Sequence, residues 1–150
     1  SELARADAEY HAALLFMSRG RWVEAIKSFD SATTEDAERR FAIAMGRAMA
    51  LRSLYRVEES HAALSSIDES SLEPSSRAKL LLYRGTCMRA RTLANPTAGL
   101  DEIRQAWESK LLCPADQTFA ESMLAETGHD ARRLAETTLQ VDSTHRLAHE

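Results

Sequence analysis

Few residues of this chain combine the types and the spacing that chemistry needs. Among five histidines only His145 and His149 stand one helical turn apart, a spacing that can bind a metal ion when further ligands converge. Arg146 stands where a zinc-protease helix would need a glutamate beside its first histidine. The sequence also has no phosphate-binding glycine loop, nucleophile elbow or paired-cysteine motif. We therefore predict that the chain is not an enzyme and has no catalytic, cofactor-binding or metal-binding residues.

Binding chemistry gives a clearer signal, in a short pattern that occurs twice. Residues 44–52 and 83–91 match in Gly, Met and Arg at three-residue steps, 39 positions apart. The guanidinium group is a planar fork that suits carboxylates, so Arg52 and Arg91 are candidates for holding an acidic or C-terminal peptide segment. The alternative is that they pair with acids of a neighbouring helix or lie in solvent, where ion pairs contribute little.

The same pattern places Gly46 and Gly85 inside predicted helices, where a glycine costs about 1 kcal/mol relative to alanine. Either a neighbouring helix approaches closely at these positions, or a ligand backbone needs the room. We expect close helix packing, because a missing side chain most often admits a neighbouring helix.

Composition places these residues on helices. Alanine, leucine, arginine and glutamate dominate the 150 residues, 44% of them are hydrophobic, and only three prolines and five glycines interrupt the chain. No stretch alternates apolar and polar residues as a half-buried strand would. A chain of this length can bury roughly 70% of its unfolded surface. We therefore expect a single all-α domain over residues 1–150 that needs no metal or disulfide.

Charge and cysteine content limit the partners and the compartment. The net charge is −4 and the 19 basic residues are spread along the chain, so we expect no nucleic-acid partner, since binding to phosphates depends on clustered positive charge. Two cysteines, Cys87 and Cys113, are too few for a disulfide scaffold and suit a reducing, cytoplasmic setting. We also expect no membrane contact, because no apolar run approaches the ~20 residues of a membrane span.

A longer repeat underlies the short pattern. After the turn residue Gly20, three residues share one helical face at spacings of four and three: Ala25, Phe29 and Ala32. The layout recurs in three further segments, through Ser60, Leu64 and Ile67, through Gly99 and Ile103, and through Ala131, Ala135 and Thr138. The four anchors, Ala25, Ser60, Gly99 and Ala131, are 35, 39 and 32 residues apart. This is the period of a two-helix repeat.

The period and the small, aromatic, small face resemble the tetratricopeptide repeat. The best single copy consists of Ala13, Phe16, Gly20, Ala25, Phe29 and Ala32. The resemblance implies a right-handed α-solenoid of about four antiparallel two-helix repeats, roughly residues 3–34, 35–70, 74–111 and 114–142. Residues 143–150 are predicted to be the start of a further helix, and the chain opens with Ser1. We therefore expect a fragment of a longer signalling or regulatory protein.

Helix breakers and caps predict the individual helices. The predicted spans are residues 3–18, 21–31, 35–53, 56–67, 74–93, 96–110, 114–127 and 130–141. Asn95 and Pro96 are the predicted start signal of the sixth helix, and Pro114 that of the seventh.

The resemblance also implies that the first helix of each repeat lines a concave binding groove. Carried over residue by residue, the groove set is Tyr10, Leu14, Met17, Met45, Met49, Arg52, Arg84, Met88 and Arg91. Four of the five methionines belong to it, and methionine is over-used on surfaces that adapt to apolar partners. The alternative is that these methionines fill gaps between helices.

The predicted function is therefore a protein-interaction module that binds an acidic or apolar peptide, or a helix, in the groove. Leu14, Met49 and Met88 occupy rows where the tetratricopeptide domains that bind chaperone tails have asparagine, which disfavours a chaperone-tail adaptor. The alternative function is a structural spacer or oligomerisation domain that packs against itself, as a homo-oligomer, or against a neighbouring domain of the parent chain.

Overall fold

The computed structural model describes residues 1–91 and 97–125, and in these residues the chain is all-helical. Seven α-helices follow one another with no strand between them in the described ranges: α1 (Glu2–Ser18), α2 (Trp22–Ser31), α3 (Ala37–Ser53), α4 (Val57–Ser65), α5 (Pro74–Arg91), α6 (Leu100–Ser109) and α7 (Pro114–Leu124). A short 3₁₀ turn, Glu69–Ser71, lies before α5. The predicted all-α class is confirmed, and the first four helices begin and end within two residues of their predicted bounds.

Two predicted helices are shorter than expected. The sixth begins at Leu100 instead of residue 96, because Gly99 has a φ of 80° and cannot continue a right-handed helix. The seventh ends at Leu124 instead of residue 127, where Ala125 becomes extended. The predicted cap at Asn95 and Pro96, and the helices predicted over 130–141 and 143–150, lie outside the described residues.

The chain divides into two compact units, Ser1–Ser76 and a second unit that begins at Arg77. Within the first unit each helix packs on the next, α1 on α2, α2 on α3 and α3 on α4, with a smaller contact between α1 and α3. Within the second unit α6 packs on α7. A single domain over residues 1–150 stays a prediction.

The repeated face of the second helices forms the interior, as its spacing predicts. Ala25 and Phe29 on α2, Ser60 and Leu64 on α4, and Ile103 on α6 are each at most 2% exposed. Burial of these side chains supplies the main driving force for packing, about 1.5–3 kcal/mol for each large apolar side chain.

Small residues allow the two helices of a pair to approach closely. In the first pair Ala13 of α1 and Ala25 of α2 are fully buried in one cluster with Phe29. In the second pair the buried Ser60 hydroxyl donates a hydrogen bond to the Ala48 carbonyl of α3 over 2.8 Å. The hydroxyl is therefore satisfied inside the interface, so its burial carries no desolvation penalty from an unmade bond.

Gly85 and Gly99 bring α5 against the start of α6 within the second unit. A Cβ atom on Gly85 would lie 2.7 Å from both the Gly99 carbonyl oxygen and Ile103 Cγ1. Gly46, at the matching position of α3, faces the Phe29 ring, and a Cβ atom there would lie 2.7 Å from Phe29 Cε2. Both helical glycines therefore serve close packing, and the space a ligand backbone would need is already filled.

Two helix-ending turns have the same geometry although their central residues differ. Gly20 after α1 and Tyr55 after α3 both adopt the left-handed conformation, with φ of 70° and 60°. In each turn the next amide donates to a carbonyl five residues back, Arg21 to Phe16 over 2.9 Å and Arg56 to Leu51 over 2.8 Å. The side chain of Tyr55 is 91% exposed. Its burial therefore contributes nothing to offset the backbone strain of its positive φ, roughly 1–2 kcal/mol.

The start of α5 is held by a carboxylate from α3. Glu38 accepts hydrogen bonds from the Glu73 backbone amide and the Ser76 hydroxyl, both at 2.8 Å. These donors flank Pro74, the first residue of α5. A carboxylate at this end also interacts favourably with the positive end of the helix dipole.

Gly46→Ala is expected to lower the free energy of unfolding by about 1–3 kcal/mol, because the new methyl group would overlap the buried Phe29 ring. Phe29→Leu shortens that side chain, so the double variant should be more stable than the sum of the two single changes allows. Urea unfolding followed by circular dichroism measures both values. A gain of about 1 kcal/mol for Gly46→Ala alone, as helix propensity predicts for a site without neighbours, would contradict the packing role.

Tyr55→Gly is expected to raise the free energy of unfolding by about 0.5–1 kcal/mol, since glycine adopts positive φ without strain and no buried contact is lost. Lys110→Gly is the matched control. Lys110 also has a φ of 60°, but its Nζ lies 3.9 Å from the centre of the Trp107 ring, a contact that glycine would remove. A gain at Lys110 equal to or larger than that at Tyr55 would count against this explanation.

Candidate functional site

The α1 members of the predicted groove set differ in exposure. Leu14 is 42% exposed. Tyr10 and Met17 are half-buried and pack against the core cluster of the first unit, with the Tyr10 ring centre 6.2 Å from that of Phe29. On this helix Leu14 is therefore the predicted residue with the most surface to offer a partner, and Tyr10 and Met17 contribute only their outer edges.

On α3 the three predicted residues separate into one interior and two half-buried side chains. Met45 is 6% exposed, so it fills space between helices and presents no surface to a partner. Met49 and Arg52 are half-buried. Arg52 lies in the last turn of α3, where a cation stabilises the negative end of the helix dipole.

In the second unit the three predicted residues all lie on α5. Arg84 and Met88 are half-buried and Arg91 is exposed. Arg91 lies in the last turn of its helix, as Arg52 does in α3. The recurrence of arginine at this repeat position therefore has a structural cause, the helix dipole, beside the binding role that the sequence predicts.

Arg39 joins the face of α1 that carries Tyr10 and Leu14 to α3. Its Nη1 lies 3.0 Å from Asp7 Oδ1, and its guanidinium carbon lies 4.1 Å from the centre of the Tyr10 ring. The Asp7 carboxylate is also 3.5 Å from His11 Nε2. Cation–π contact and ion pairing together hold the two first helices of this unit side by side at their N-terminal halves.

A cavity of about 540 Å³, open to solvent on one side, lies elsewhere in the first unit between α2, α3, α4 and the connectors that follow α2 and α4. Its charged lining residues are Asp30, Arg40, Arg47 and Asp68. Its apolar lining comes mainly from short or branched side chains, Ala32, Ala37, Ile43, Ala44, Ala63 and Ile67. The volume lies within the roughly 300–1,000 Å³ that is usual for small-molecule sites.

The residues that line the cavity include none of the predicted groove set. Successive residues of an α-helix are about 100° apart around its axis. Met49 therefore lies roughly 120–180° from the five α3 residues that line the cavity, Ala37, Arg40, Ile43, Ala44 and Arg47. Sequence reasoning missed this cavity, since much of its lining comes from helix ends and connectors whose composition indicates only polar turns.

Polar side chains of α5 and α7 meet in the second unit. The Tyr83 hydroxyl donates to Asp116 Oδ1 over 3.3 Å, and both residues are buried. Cys113, the residue before α7, is exposed, whereas Cys87 is 1% exposed. Desolvation, with Asp116 nearby, raises the pKa of the Cys113 thiol. A raised pKa disfavours the thiolate that nucleophilic chemistry needs.

Within residues 1–91 and 97–125 no three His, Cys, Asp or Glu side chains converge in a way that could hold a metal ion. No helix within the same ranges is long and apolar enough to cross a membrane. The histidine pair His145 and His149 lies outside the described residues.

Comparison of the chain with protein-family models, with curated proteins and with solved structures finds no match.

Proposed function

We propose that this chain is a tetratricopeptide-like helical-repeat module that binds a protein or peptide along the first helices of its repeats, within a larger cytoplasmic signalling or regulatory protein. The proposal assigns no catalysis, cofactor, nucleic acid or membrane to it. It rests on the way the first unit distributes its apolar residues, together with the repeat period of the sequence.

The observation that carries the proposal is a difference between the predicted binding face of the first helices and the repeated face of the second helices. The second helices α2 and α4 turn their repeated apolar face into the interior, where Phe29 and Leu64 are at most 2% exposed. The first helices α1 and α3 keep apolar side chains at the surface, with Leu14 42% exposed and Met17 and Met49 half-buried. Flexible methionine and leucine side chains at a surface suit an apolar peptide face.

The positive charge of Arg52 indicates that the bound peptide also carries an acidic residue. Arg52 lies one turn after Met49 on α3, and its planar guanidinium group can engage a carboxylate with two hydrogen bonds. The peptide we expect therefore has an apolar residue against Leu14 and Met49 and an acidic residue near Arg52. In the second unit Arg84, Met88 and Arg91 repeat this chemistry on α5.

Random peptides displayed on phage, selected on the wild-type chain, supply a ligand for the test. We expect Leu14→Glu and Met49→Glu each to weaken binding of the selected peptide by about tenfold or more, the effect of losing one buried anchor. Val23→Glu is the matched control, because Val23 is 51% exposed on a second helix. Equal loss in all three variants, or a loss in Val23→Glu alone, would overturn the proposal.

The same variants test the alternative of a spacer or oligomerisation domain. Light scattering coupled to size exclusion gives the mass of the wild-type chain and of Met49→Glu. A wild-type dimer that Met49→Glu converts to a folded monomer would assign this face to self-association. A monomer in both cases leaves the face open to another protein.

A further inference from the structure

We propose that the open cavity between α2, α3 and α4 binds a small amphipathic carboxylate, a molecule with a short alkyl or aromatic body and one carboxylate group. The site is separate from the predicted groove, since none of its lining residues belongs to the groove set. It therefore gives the first unit a second binding function, for a small molecule instead of a peptide.

Short side chains create the space for the apolar body of this ligand. Ala32 at the end of α2, Ala44 on α3 and Ala63 on α4 line the cavity, where longer residues would fill it. Ile43 and Ile67 contribute branched apolar surface. Such a lining favours an alkyl chain or a phenyl ring, which gains from leaving water.

Two of the four charged groups at the cavity neutralise each other. Arg47 Nε lies 2.7 Å from Asp30 Oδ1. The angle at this nitrogen is outside hydrogen-bond geometry, so the contact is ionic, and it still cancels both charges. Asp30 therefore neither attracts a cationic ligand strongly nor repels an anionic one strongly.

The third charged group, Asp68, is held by its own turn. Its Oδ1 accepts hydrogen bonds from the Ser70 backbone amide at 3.1 Å and from the Ser70 hydroxyl at 2.7 Å. These bonds, with a smaller effect of the Arg40 charge, lower the pKa of the Asp68 carboxyl. Asp68 is thus ionised and already hydrogen-bonded before any ligand arrives.

Arg40 is the charged group whose hydrogen-bonding capacity is open. Arg40 is exposed. Within residues 1–91 and 97–125 its guanidinium group makes no hydrogen bond or close ion pair, and its charge acts on the Asp68 carboxylate only as a smaller, longer-range effect. Thr33, across the α2–α3 connector, lines the same cavity and offers a hydroxyl. A carboxylate can accept from both donors, and one negative charge matches one guanidinium group. The second negative charge of a phosphate would meet no further open cation among the charged lining residues, because Arg47 is already paired with Asp30. An amine would face Arg40.

The test uses 3-phenylpropionate and its uncharged amide, 3-phenylpropanamide, titrated into the full chain by calorimetry. We expect the acid to bind about tenfold more tightly than the amide, because only the acid forms a charge-assisted hydrogen bond with Arg40. Arg40→Gln should remove this preference and leave the amide unchanged. Arg104→Gln, an exposed arginine on α6 in the second unit, is the matched charge control and should keep the preference.

A second variant tests the cavity itself. Ala44→Leu should fill the apolar space and weaken both probes by about tenfold or more, while circular dichroism confirms that the chain is folded. If Ala44→Leu does not fold, Ala63→Val makes the same test from α4 with a smaller added volume. The proposal is overturned if neither probe binds the wild-type chain, if acid and amide bind equally, or if Arg40→Gln keeps the preference for the acid.

Discussion

Close approach of paired helices at small residues is the constraint on which the rest of this structure depends. Ala13 meets Ala25 in the first pair, Ser60 bonds to a carbonyl of its neighbour in the second, and Gly85 meets Gly99 in the second unit. A larger side chain at any of these positions would separate the helices, and the apolar residues one turn further along would lose their partners. The small residues therefore set the distance between the paired helices, and burial of the large apolar residues supplies the stabilising free energy.

The way small and large residues are used in the core determines which surfaces are left for binding. Because each second helix uses its repeated apolar face against its partner, the predicted groove face of the first helices and the cavity between α2, α3 and α4 are two of the places where apolar side chains meet water. Leu14 of α1 belongs to the first of these surfaces, and the cavity beside Arg40 is the second. The same packing of the core thus leaves two surfaces of different chemistry. One suits a peptide and the other a small molecule.

The spacing of residues along the sequence correctly predicted the features that depend on helix geometry alone. The positions of Ala25, Ser60 and Ile103 follow from helical periodicity, and all three are buried as that periodicity requires. Met45 could not be placed correctly in this way, because whether a methionine faces a neighbour or solvent depends on how far the next helix lies from it. The start of α6 was mistaken for a similar reason, since the backbone of Gly99 is fixed by its contact with Gly85 and not by nearby cap residues.

The cavity escaped prediction because it is a property of several helix ends at once. Neither the ion pair of Arg47 with Asp30 nor the open guanidinium group of Arg40 can be read from the order of residues. Only the spacing of Arg40 and Arg47, two turns apart on one side of α3, was available in the sequence, and a solvated helix face has the same spacing.

The two thiols differ in burial, so their rates of chemical labelling can report local opening of the structure around Cys87. Cys113 is exposed to a labelling reagent at all times, whereas Cys87 lies inside α5 at 1% exposure. A reagent can modify Cys87 only during moments when that helix separates from its surroundings. The rate of the second labelling event therefore counts local openings of the second unit in the native protein, without any probe having to be introduced.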